Sequence, residues 1–118
     1  LLLLSAPAMA EDGYALWLRY QKLDQPSISA VSGHARAIVA PGQSAMAVAA
    51  RDELTRGITG MTGQAPAKAE APTDGAIWIA TPSEAPALAK LPLNLSKLGD
   101  EGYVIRTLQV DGKRVTVI

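Results

Sequence analysis

The chain contains no cysteine, so neither a disulfide nor a thiolate metal site can form. It contains a single histidine, His34, so a zinc site would have to take its other ligands from carboxylates alone, an uncommon donor set. It has no excess of charge: lysine plus arginine number 11, aspartate plus glutamate number 11, and the formal net charge is zero. Such a chain has no field with which to gather nucleic acid or an anionic membrane surface, and neither is expected as a partner. It also lacks a long hydrophobic run, since the apolar stretch at Leu1 to Leu4 is too short to span a bilayer. At 118 residues the chain has the length of one domain, which buries roughly 65% of its unfolded surface.

The first ten residues, LLLLSAPAMA, differ from the rest. A continuous apolar run is interrupted at Pro7, and Ala8-Met9-Ala10 offers the two small residues that a signal peptidase needs. This pattern predicts the end of a secretory signal peptide, a mature chain starting near Glu11, and export to the periplasm or the outside. The chain begins without methionine and stops on Val115-Thr116-Val117-Ile118, strand-like and apolar, so it reads as a piece cut at both ends.

In residues 11–23, Tyr14, Trp17 and Leu18 fall at i, i+3 and i+4, which predicts a short helix ended by Asp24-Gln25-Pro26-Ser27. Residues 34–40 (HARAIVA) read as a strand. A helix is expected from Ser44, its N-cap, to Arg56, with Met46, Ala50, Leu54 and Ile58 as the buried stripe and Gly57 and Gly60 as the stop. Arg51, Asp52, Thr55 and Arg56 form its wet face, with Asp52 and Arg56 spaced for an i, i+4 pair. Residues 61–75 read as a loop. Residues 76–80 (AIWIA) suit an interior strand covered on both faces, and residues 83–91 a short helix broken at Pro86. Asp111-Gly112 signals a type I′ hairpin that sets Val110 opposite Lys113, Leu108 opposite Val115 and Arg106 opposite Val117. Val104, Leu108, Val110, Val115 and Val117 then share a core face. Arg106 interrupts that face and must reach a carboxylate or the sheet edge. The sum is a mixed α/β arrangement of the α+β type: a small mixed sheet with flanking helices.

Three stretches resemble one family. Residues 11–20 (EDGYALWLRY) look like the opening of mature family 67 α-glucuronidases. Residues 98–105 (LGDEGYVI) look like a later strand entry of that family, and Asp111-Gly112-Lys113 before an apolar strand fits its hairpin. The resemblance covers essentially residues 11–118. It implies a non-catalytic N-terminal α/β domain, similar to the domain that precedes the (β/α)8 barrel of hexosaminidases. The partner would be the catalytic barrel of the same parent chain. That barrel would remove α-1,2-linked (4-O-methyl)glucuronic acid from xylo-oligosaccharides with inversion, through widely spaced carboxylates. The barrel lies outside this chain, so no catalytic, cofactor-binding or metal-binding residue is carried over. The resemblance further implies a covering helix after the last strand. Its absence would leave Val104, Leu108, Val115 and Val117 exposed and the fragment marginal. Two other readings are a stand-alone carbohydrate-binding module and the front domain of a hexosaminidase-like glycosidase.

Among candidate sites, the pairs Glu11-Asp12, Asp52-Glu53 and Asp100-Glu101 read as solvated charges, since charged residues are mostly exposed; Asp52 and Glu53, adjacent on a helix, point about 100° apart, and Asp100-Glu101 sits in a turn before a strand. His34 has no orienting carboxylate nearby in sequence. Trp17 and Trp78 lie in apolar runs and are expected in the core, whereas Tyr14 and Tyr20 are open to solvent or to the missing barrel. The Gly57–Gly63 region follows a helix instead of opening one, so it is no phosphate loop.

Overall fold

A computed structural model describes residues 19–118. The expected signal segment, Tyr14, Trp17, Glu11-Asp12 and most of the first expected helix lie outside the described residues. Residues 19–24 are not helical.

The elements run α1 (Gln25–His34), β1 (Ala37–Val39), α2 (Ala45–Thr62), β2 (Ala67–Lys68), β3 (Ala76–Trp78), β4 (Arg106–Val110) and β5 (Lys113–Val117). The strands form one mixed sheet in the order β2-β1-β3-β5-β4. The first four of these run parallel and β4 lies antiparallel at the edge. This is the α/β class expected, with helices flanking a small mixed sheet.

Asp24 to Ser27 starts a helix instead of ending one. The Asp24 carboxylate accepts from the Ser27 N–H at 3.0 Å, and Pro26 stands in the first turn, where no backbone N–H is required. His34 consequently closes α1, and the strand expected over residues 34–40 shrinks to Ala37–Val39.

Ser44 caps α2 as expected, accepting from the Ala47 N–H at 3.1 Å. The helix does not stop at Gly57 or Gly60. It continues to Thr62 and closes at Gly63, which is left-handed (φ 78°) and donates to Thr59 O. Both interior glycines are kept open for Tyr20: a Cβ would fall 2.9 Å from its Cε1 at position 57 and 2.8 Å from its Cβ at position 60. Of the expected buried stripe, Ile58 is buried and Leu54 packs beside it, but Met46, in the first turn, is 82% exposed. Arg56 pairs with Glu53 at 2.6 Å, while Asp52 is taken by Arg51 at 3.1 Å, so the expected Asp52–Arg56 pair gives way to two others.

The expected loop over residues 61–75 holds the end of α2 and the edge strand β2, whose Ala67 N–H donates to Arg36 O at 2.9 Å. β3 lies between β1 and β5 and is interior, as its apolar run implied. The helix expected over residues 83–91 is a 3-10 turn, Pro86–Lys90, with the proline in its first turn.

The hairpin has the expected register, and Asp111 (φ 49°) with Gly112 (φ 76°) makes the type I′ turn. Arg106 lies on the edge strand, exposed, and reaches no carboxylate. It donates to the carbonyl of Pro92 at 2.9 Å.

The two sheet faces are covered differently. On one, Ala37, Val39, Ala76, Trp78, Val115 and Val117 pack under Leu88 and Leu93 of residues 81–98. On the other, Ile38 meets Ile58 of α2, with Ile77 and Ile79 packed around them. The face of Val115 and Val117 therefore already has its cover, and both are essentially fully buried. The expectation that it would lie bare is overturned, because residues 81–98 cross it. On the opposite face, Arg114 of β5 donates to the Gly33 carbonyl in α1 at 3.0 Å, and Ile105, just before β4, is 62% exposed.

Candidate functional site

Open α/β sheets place ligands beyond the carboxyl ends of strands where successive connections leave in opposite directions. Here that point lies between β1 and β3. The chain leaving β1 enters α2 on one face, and the chain leaving β3 crosses the other face. A depression of about 210 Å³ lies there, and Glu84 lines it with Ala40, Ala47, Ile79 and Thr81. Thr81 donates to Glu84 Oε2 from its backbone N–H at 2.9 Å and from its hydroxyl at 3.0 Å. The Glu84 N–H returns to the Thr81 hydroxyl at 3.4 Å, completing a reciprocal capping box. The other oxygen presses on Gly42, where an added Cβ would sit 2.3 Å from it and 2.6 Å from the Ala47 Cβ. A carboxylate beside the first turn of α2 meets a favourable dipole.

The sequence candidates do not converge. Glu53 accepts from the Tyr20 hydroxyl and, at 2.6 and 2.8 Å, from Arg56. Arg56, chiefly, and then Tyr20 hold the Glu53 carboxyl below its ordinary range, and the bond to Glu53 raises the Tyr20 phenol. Tyr20 is thus packed on α2 and not open to solvent alone. Asp100 and Glu101 are exposed in the turn before β4, and His34 is exposed at the end of α1. Trp78 is 7% exposed, in the core as expected, so it offers no stacking surface to a sugar. Gly57 and Gly60 receive Tyr20, not phosphate.

A depression of about 500 Å³ is lined by Ser29, Ser32, Arg36, Thr62 and Gln64 among others and holds no carboxylate. A second, of about 360 Å³, holds one, Asp100. Glycoside hydrolysis needs two carboxyl groups facing a sugar, roughly 5–9 Å apart, and neither depression supplies a pair. Among the described residues, no group of three or more histidines and carboxylates is placed to hold a metal, and no helix is long and apolar enough to cross a membrane.

Glu84 was not singled out from the sequence, although Thr81-Pro82-Ser83-Glu84 carries the capping-box spacing in plain view. The fold is that of an α/β domain built on one small mixed sheet. Residues 16–118 match the family model described as Glycosyl hydrolase family 67 N-terminus, and the chain belongs to that family, as its N-terminal domain. Membership sets it in the context of a glycoside hydrolase, an α-glucuronidase, and implies a parent chain with a catalytic domain. No curated protein matches the chain.

Proposed function

We propose that this chain is the non-catalytic N-terminal domain of an exported α-glucuronidase. The parent would remove (4-O-methyl)glucuronic acid, α-1,2-linked to the terminal xylose of xylo-oligosaccharides, during xylan breakdown, with inversion at the sugar. The chain's own part is structural: it packs beside the catalytic barrel and stabilises it. The family match over residues 16–118 carries this reading.

The test is activity on aldouronic acids. The parent enzyme is expected to release glucuronic acid and residues 11–118 are expected to release none. Release by the short chain would overturn the structural role, and an inactive parent would overturn the enzymatic one. Export is checked separately by N-terminal sequencing of the parent from the exported fraction. A start near Glu11 supports it, and a cytoplasmic protein retaining Leu1 to Ala10 refutes it.

A further inference from the structure

The depression of about 500 Å³ lies where the last turns of α1 and α2 meet the start of β1, at the end of the parallel strands opposite Ile118. Its floor is apolar, with Ala35 and Ile58 both buried. Its rim carries Ser29, Ser32, Arg36 and Gln64. Among the described residues, none of these four side chains bonds to another protein group. On α2, by contrast, Thr55, Thr59 and Thr62 turn their hydroxyls back onto helix carbonyls at 2.9, 2.6 and 2.8 Å. Ser29 and Ser32 of α1 do not, and their spacing sets both on one helix face. Arg36 is held from both sides: its N–H donates to Gly75 O and its carbonyl accepts from Ala67 N, each at 2.9 Å. Thr62, 6% exposed, accepts from the Gln64 N–H at 3.2 Å and fixes the turn that carries Gln64. Among the described residues lining the depression, Arg36 alone is charged. Asp74, before β3, accepts from the Arg114 N–H at 3.0 Å and lies outside the lining.

We propose that this depression is a binding site for an acidic sugar, a hexuronic acid, with its carboxylate on Arg36 and its hydroxyls on Ser29, Ser32 and Gln64. The choice of a hexuronic acid among acidic sugars rests on the functional reading above. A guanidinium matches a carboxylate through two parallel N–H donors. Seryl hydroxyls and a carboxamide both donate and accept, as sugar hydroxyls require. The apolar floor suits the C–H face of a pyranose ring, and the volume falls in the range of small-molecule sites, roughly 300–1,000 Å³. The helix ends decide between a carboxylate sugar and a phosphate. Each carboxyl end carries about half a negative charge, so α1 and α2 together offset one guanidinium. A phosphate dianion is repelled there twice as strongly as a carboxylate and brings no hydroxyl donors to the helix carbonyls. A hexuronic acid brings one charge for Arg36 and several hydroxyl donors for its surroundings.

The experiment uses the parent enzyme, with its aldouronic acid activity measured on the same sample. Phenylglyoxal, which modifies accessible guanidinium groups, is applied with and without glucuronic acid. Modification of Arg36, and of Arg106 as the reference, is read by mass spectrometry of the digested protein. Saturating glucuronic acid is expected to slow modification of Arg36 at least about fivefold, since its carboxylate occupies the guanidinium donors, and to leave Arg106 unchanged. Half-protection is expected at about 1–10 mM, because one exposed ion pair with a few neutral hydrogen bonds binds weakly. In Ser32→Ala that concentration should rise roughly three- to tenfold. Xylose and glucose, which carry no carboxylate, should give no protection. Unprotected Arg36 overturns the proposal. Equal protection by acetate or inorganic phosphate also overturns it, since a bare anion would then suffice, as does an unmoved midpoint in both Ser29→Ala and Ser32→Ala. An inactive parent with Arg36 protected refutes the enzymatic reading and leaves this site assigned, and an active parent with Arg36 unprotected does the reverse.

Discussion

The ring of Tyr20 occupies the space that Gly57 leaves open on α2, with Tyr20 Cε1 only 2.9 Å from where a Cβ would stand. Tyr20 itself has a left-handed backbone (φ 45°), a conformation costing a bulky residue roughly 1–2 kcal/mol. The hydroxyl bond to Glu53 and the Arg56 guanidinium 5.9 Å above the ring offset that cost. In an ordinary helix interior, Gly→Ala stabilises by about 0.8–1 kcal/mol. Here Gly57→Ala is expected to destabilise by about 1–3 kcal/mol, because the new methyl meets the ring. In a Tyr20→Ala background the sign should revert. A double-mutant cycle by urea unfolding measures both, and a stabilising Gly57→Ala in the wild type would refute the packing.

The same network sets part of the acid stability. The Glu53 carboxyl lies lower in the folded chain than in the unfolded one, so its contribution is present above the ordinary glutamate range, about pH 4.3, and is lost as pH falls through the lowered folded value. The gap in melting temperature between wild type and Glu53→Gln should be constant above about pH 5 and close below about pH 4. At the other end the Tyr20 phenol is raised, so its contribution is full below about pH 10 and is lost as pH climbs through the raised value. An unchanged gap across the acid range would show that the Glu53 bonds contribute nothing.

Gly75 is required for a different reason. Its φ is 76°, and a Cβ would fall 2.6 Å from the carbonyl oxygen of Gly33, which belongs to backbone and cannot swing away. Its N–H donates to Arg114 O and its carbonyl accepts from Arg36 N, so it ties β1 to β5 ahead of β3. Gly75→Ala should cost roughly 2 kcal/mol or more. Gly99→Ala, with nothing within 4 Å of the new methyl, is the control and should be close to neutral. Urea midpoints decide between them.

Glu84→Ala removes the acceptor for the Thr81 N–H and hydroxyl and should cost about 1–2 kcal/mol. Glu84→Gln keeps one acceptor oxygen and should cost less. Equal losses in thermal unfolding would mean that the charge beside α2, not the capping bond, is what matters.

Local chemistry made some of this fold legible. The type I′ turn and its register follow from Asp111-Gly112, because only that backbone matches the twist of the flanking strands. The Ser44 cap follows from a hydroxyl placed before an amphipathic run, and the interior strand from an apolar run covered on both sides. The misplaced boundaries have equally local causes. Pro26 breaks a helix from within and begins one from its first turn, and only the chain direction around Asp24 separates the two. β2, at two residues, is too short for any periodicity.

From its sequence alone, then, the protein has an α/β class, a hairpin with one register, and the motifs of a family 67 N-terminal domain, because turn chemistry, capping and alternation act between neighbouring residues. Tertiary structure alone decided that Gly57 and Gly60 form a socket for Tyr20, that Glu84 stands against Gly42, and that residues 81–98 cover Val115 and Val117. Each of these depends on residues far apart in the chain meeting at van der Waals distance. A glycine that ends a helix and one that admits a ring look the same until the ring arrives.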